Sequence, residues 1–94
     1  MKTTPARKEA RGQPCMVRLE GCDGGGETTI LAHYSLSGIS GRGYKSPDVL
    51  GAWCCYPCHQ KCDGAVKSVY SRDQLRLALA EGVFRTWQAM EDRK

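Results

Sequence analysis

The residues most able to do chemistry lie together in Cys54-Cys55-Tyr56-Pro57-Cys58-His59-Gln60-Lys61-Cys62-Asp63. Cys55 and Cys58 are separated by two residues, a spacing that lets both sulfurs reach one metal ion. A structural zinc takes four ligands in tetrahedral geometry. Cys15 and Cys22 form the natural second pair, because the glycine-rich loop of residues 20–26 holds Cys22 on backbone that can bend to bring both sulfurs to one point. Cys54 neighbours Cys55, and adjacent side chains diverge, so both cannot serve one ion well. Cys62 is then a free thiol or an alternative ligand, and disulfides are the competing use of six cysteines.

His59 follows Cys58 directly. Consecutive side chains on a helix diverge by about 100°, so if Cys58 faces the zinc, His59 faces elsewhere. Asp63 is four residues on and shares the face of His59. A His and a carboxylate in this relation can hold a second, catalytic divalent cation such as Mg²⁺. They can equally form a surface hydrogen bond.

Around this stretch the chain must supply elements that position it. Residues 1–14 carry Lys2, Arg7, Lys8 and Arg11 against Glu9, with Pro5, Gly12 and Pro14; the composition predicts a flexible basic arm. Residues 15–94 read as one domain. Cys15 to Leu19 alternates and predicts a short strand. Residues 27–34 are rich in β-branched and aromatic residues and predict a second strand, with His33 near its end. Residues 35–47 form a long glycine-rich loop that carries Arg42 and Lys45, candidate phosphate contacts. Pro57 suits the first turn of a helix carrying His59 and Asp63, and Gly64 suits its end. A last helix over about 72–92, capped by Ser71 or Asp73, places Leu75, Leu79, Val83, Trp87 and Met90 on one stripe broadened by Leu77, Ala80 and Phe84. The fold class is α+β, a small zinc-stabilised domain with a C-terminal amphipathic helix.

The formal net charge is +4 among 94 residues, compatible with an anionic partner, of which nucleic acid is the usual one. The N-terminal residues lack the apolar run of a secretory signal, and no stretch has the length of a membrane span. The expected setting is therefore the cytoplasm, where reduced cysteines are available for metal.

The order Ala32-His33-Tyr34, a glycine-rich basic loop, then Cys55-x-x-Cys58-His59 resembles the HNH (ββα-metal) nucleases, and among them the small prophage-encoded ones. The resemblance covers about residues 11–64. It implies that His33 is the general base acting on water, that His59 binds a divalent cation with Asp63 as its helix partner, and that the substrate is DNA. The pattern departs at two places. Ala32 stands where an acidic or histidine ligand is common, and Leu50 stands where a central Asn is common. Asp48 is the nearest polar residue, a candidate to orient His33 or reach the metal. The resemblance thus implies a metal-dependent DNA endonuclease. The alternatives are a zinc-stabilised nucleic-acid-binding module without catalysis and a zinc-ribbon-like protein-interaction domain. A homodimer would make double-strand cutting natural, although nothing in the sequence demands one.

Overall fold

The computed structural model describes residues 4–36 and 47–93. The element order is α1 (Pro5–Ala10), β1 (Ile30–His33), a 3₁₀ turn (Asp48–Leu50), β2 (Gly51–Cys54), α2 (Tyr56–Cys62) and α3 (Arg72–Glu91). β1 and β2 pair antiparallel, with Leu31 opposite Trp53 and His33 opposite Gly51.

Residues 5–10 form a helix instead of a flexible arm. The Thr4 hydroxyl caps it by accepting from the Arg7 N–H at 3.2 Å, and Pro5 supplies a pre-set φ in the first turn. Ala10 is fully buried and packs with Met16, Leu31 and Trp53, against which Ala6, Ala89 and Met90 also lie. Burial of small apolar side chains thus holds a segment too short to be stable as an isolated helix.

Residues 15–19 do not form a strand. Cys15, Met16, Val17 and Leu19 are all buried, whereas Arg18 is exposed with a φ of +59°. The alternation expected of a strand therefore breaks. The Met16 N–H donates to the Trp53 carbonyl at 2.7 Å, and the Cys15 N–H to the Gly24 carbonyl at 3.0 Å. The second strand is shorter than the composition suggests, Ile30–His33 rather than the whole of 27–34.

α2 starts with Cys55 as N-cap and Pro57 in its first turn, and Gly64 follows with a φ of +76°, as Pro57 and Gly64 lead one to expect. α3 is closed at its N-terminus by a reciprocal pair of bonds, Gln74 N–H to the Ser71 hydroxyl at 3.1 Å and Ser71 N–H to Gln74 Oε1 at 2.7 Å. This capping box satisfies two donors that a helix start leaves orphaned.

The apolar stripe is buried only in part: Val83 lies in the core and Leu75, Leu79 and Met90 pack against it. The fully buried or nearly buried residues of α3 are Gly82, Val83 and Thr86, while Leu77, Phe84 and Trp87 are exposed. The reason is close approach. A Cβ on Gly82 would lie 2.9 Å from Val17 Cγ2 and 3.3 Å from Ala52 Cβ, so only glycine lets the helix seat against the sheet. Thr86 completes the contact. Its hydroxyl accepts from the Trp53 N–H at 3.0 Å and donates to the Gly82 carbonyl at 2.7 Å. The core has two parts, one of Cys15, Val17, Leu19, Ala32, Ala52, Cys54, Cys55, Cys58 and Val83, the other around Trp53.

Candidate functional site

Cys15, Cys22, Cys55 and Cys58 converge, with all four sulfurs within 4.8 Å of one another. A Zn–S bond of about 2.3 Å at tetrahedral angles separates ligand sulfurs by about 3.8 Å; the Cys22–Cys55 separation is 3.7 Å. Backbone N–H groups point at these sulfurs. Gly24 donates to Cys22 at 3.3 Å, and Asp23 and Leu19 donate to Cys55 and Cys58. The donor set therefore fits a metal ion. Burial pushes the Cys55 thiol up to about 11 and also raises Cys58, so thiolates at these positions need a cation to compensate their charge.

Cys54 is fully buried beside the cluster but outside it. Its thiol hydrogen-bonds to Cys15, which lowers Cys15 and, together with burial, raises Cys54. The Cys54 thiol also donates to the Cys55 carbonyl at 3.5 Å. Cys62 is half-buried, and burial pushes its thiol up to about 11.

The second constellation is built on the hairpin. β1 ends at His33, and the 3₁₀ turn that leads into β2 presents Asp48. Because His33 pairs with Gly51, the chain just before Gly51 lies beside the His33 side chain. His33 Nε2 and Asp48 Oδ1 are 2.8 Å apart. The tautomer that donates from Nε2 to the carboxylate leaves Nδ1 as a free lone pair. The His33 bond is the largest cause of a lowered Asp48 pKa, followed by a bond from Thr4, with a smaller part from the charge of Arg7. Arg7 Nε lies 3.7 Å from Asp48 Oδ1. α3 fixes the same turn, since Trp87 Nε1 donates to the Val49 carbonyl at 2.8 Å.

His59 Nε2 and Asp63 Oδ2 are 3.0 Å apart across one turn. His33 and Asp63 both line a cleft of about 180 Å³, together with Tyr34, Cys62, Arg72 and Arg76. His59 meets this cleft through its bond to Asp63 and does not line it. Arg42 and Lys45 lie outside the described residues.

Sequence reasoning did not find Thr4 and Arg7 at Asp48, because residues 1–14 read as an arm with no fixed position. The cap signal Thr4-Pro5 was the available clue. Nor did it find Arg72 and Arg76 in the cleft, although their four-residue spacing after a helix cap places them on one face.

The described residues define a small mixed α/β protein with a two-stranded sheet and a four-cysteine cluster able to hold a metal ion. No helix among them is long and apolar enough to cross a membrane. The chain belongs to the family described as "Putative nuclease YbcO", whose model matches residues 4–94. Proteins of that name from Escherichia coli (strain K12) and from Enterobacteria phage 82 are each 42% identical over 81 residues, 85% of this chain and 83% of theirs. A solved structure of "a putative bacteriophage protein" from Escherichia coli str. K-12 substr. MG1655 superimposes with a TM-score of 0.73 at 31% identity, covering 93% of this chain and 96% of that one. The family carries the name of a nuclease, and some of its members are phage proteins.

Proposed function

We propose that the protein is an HNH-type endonuclease that hydrolyses phosphodiester bonds of DNA with the help of a divalent cation, and that a zinc held by Cys15, Cys22, Cys55 and Cys58 stabilises its fold. The observation that carries this reading is the 2.8 Å bond between His33 and Asp48 at the rim of a cleft that also holds Asp63. The order β1, β2, α2, with Cys55 and Cys58 opening the helix, supports the HNH assignment, and the family name supports the nuclease.

His33 takes a proton from water at Nδ1. The water oxygen forms a bond to phosphorus, and the bond from phosphorus to the leaving sugar oxygen breaks. A neutral imidazole suits this role near pH 7. Asp48 fixes the ring and its tautomer, and stabilises the imidazolium that results. His59 and Asp63 would hold a divalent cation such as Mg²⁺. Two protein donors suit an ion that keeps waters and takes oxygens from a phosphate. When bound, that ion neutralises charge developing on the phosphate and the leaving oxygen. Arg42 and Lys45 would add backbone contacts.

Ala32 offers no ligand beside His33, and this favours as a second reading a nucleic-acid-binding module without catalysis. One assay separates the two: supercoiled plasmid with Mg²⁺ or Mn²⁺, wild type beside His33→Ala. Nicking by wild type that falls about 10² to 10⁴-fold in the variant is expected for a lost general base. Equal nicking by both, or none by either, refutes the catalytic reading.

A further inference from the structure

α3 enters the cleft with two arginines. Arg72 and Arg76 are four residues apart and share a face, and both line the space bounded by His33 and Asp63. Two like charges at this spacing disfavour each other. Among the described residues no carboxylate forms an ion pair with either, whereas Arg7, Arg85 and Arg93 each have an acidic partner. Arg76 is aimed. Its Nη2 donates to the Tyr34 hydroxyl at 2.8 Å, and its guanidinium carbon sits 4.8 Å from the centre of the Tyr34 ring. Tyr34 directly follows His33, so the strand that carries the imidazole also orients the arginine. One hydrogen bond leaves Arg76 with four further N–H donors.

We propose that Arg72 and Arg76 form the phosphate-binding wall of this cleft and grip the phosphodiester backbone of the nucleic acid at or next to the group that faces His33. The inference rests on the nuclease reading for the identity of the ligand and goes beyond it in naming the residues that bind. The physical case is charge and shape. Two unpaired guanidiniums on one face are relieved by an anion, and their planar donor forks match phosphate oxygens. Among the described residues Asp63 is the only carboxylate in the lining, and it is engaged by His59 at 3.0 Å. The wall is placed by the Ser71 capping box, which fixes the first turn of α3 where Arg72 sits.

Binding tests this without needing turnover. Fluorescein-labelled DNA and RNA duplexes of one sequence are titrated with wild type, Arg72→Gln, Arg76→Gln, the double variant and Arg93→Gln, without Mg²⁺ or Mn²⁺ so that no strand is cut. Anisotropy is read across a salt series. Each lost phosphate contact lowers the slope of log affinity against log salt by about 0.9 on a duplex. The expected result is a slope reduced by about 1 in each single variant and about 2 in the double variant, on whichever duplex binds. Arg93 lies about 30 Å away along α3, and Arg93→Gln serves as the control for charge alone, with the wild-type slope. Thermal melting of each variant confirms that it is folded. Slopes for Arg72→Gln and Arg76→Gln equal to that of Arg93→Gln overturn the inference, as does a wild type that binds neither duplex at low salt. Reduced slopes in a protein that cuts nothing leave this wall standing and refute only the nuclease reading; a protein that cuts DNA with unchanged slopes does the reverse.

Discussion

Asp48→Asn is the sharpest probe of the proposed chemistry. The carboxylate accepts from His33 Nε2 at 2.8 Å and also faces Thr4 and Arg7. Asparagine keeps the shape and one oxygen but loses the charge. A hydrogen bond to a charged partner contributes about 1.5–3 kcal/mol and a neutral one about 0.5–1.5. The difference, about 1–2 kcal/mol, is what Asp48 adds as the imidazole gains its proton, and it corresponds to about 5- to 30-fold in rate. An amide that turns its NH₂ toward Nε2 also favours the wrong tautomer and moves the loss above that range. The assay is initial nicking of supercoiled plasmid at pH 7.5 with saturating Mn²⁺, with thermal melting and duplex binding measured in parallel. Nicking reduced at least about 5-fold, with fold and binding retained, is the expected outcome. Nicking within twofold of wild type would refute the assignment of Asp48, because a charged partner at 2.8 Å cannot then be acting on the base.

The remaining predictions concern the frame and its pH dependence. Thr86→Val removes the acceptor of the Trp53 N–H, which lies in a fully buried residue; loss of about 1–3 kcal/mol in urea unfolding is expected, and an unchanged midpoint would show that β2 does not depend on this bond. Cys58→Ala should abolish tight zinc binding and unfold much of the domain, since binding at such sites is worth about 10–16 kcal/mol, whereas Cys62→Ala should keep the metal; elemental analysis and circular dichroism of both variants read this out, and equal metal content would argue against the four-cysteine site. The lowered Asp48 pKa means that its ion pair stabilises the fold above the ordinary carboxylate value of 3.8 and that this contribution is lost as pH falls below it. Wild type should therefore lose more stability than Asp48→Asn between pH 5 and the acid limit, and parallel curves would show that the pair contributes nothing.

Residues near one another in the chain, or fixed by strong local rules, were legible without a structure. The Cys55-x-x-Cys58 spacing, the diverging His59, the shared face of Asp63, and the stops at Pro57 and Gly64 all follow from helix geometry. So does the α3 start, where Ser71 and Gln74 cap each other. The pairing of Cys15 and Cys22 with this knuckle was legible because few other thiols could complete the set. The failures share one cause. The Leu77, Phe84 and Trp87 positions satisfied an apolar stripe yet are exposed, because helix seating was decided by how closely Gly82 and Thr86 approach Ala52 and Trp53. Residues 15–19 alternate in sequence yet are buried nearly throughout, because they are enclosed between the cysteine cluster and α3.

The sequence by itself determined which groups could do chemistry and which local elements would carry them, since ligand type, i,i+4 spacing and capping act over a few residues. Only the tertiary structure decided which groups meet. The stretch 54–63 carries Cys55 and Cys58 into the four-sulfur cluster and turns Asp63 toward the cleft of His33. Asp48 reaches His33 through strand register, 15 residues apart. Thr4 and Arg7 reach Asp48 because Ala10 is buried against Trp53, and Arg72 and Arg76 reach the cleft because α3 packs across the sheet. These are long-range contacts set by which surfaces fit, and no local pattern encodes them.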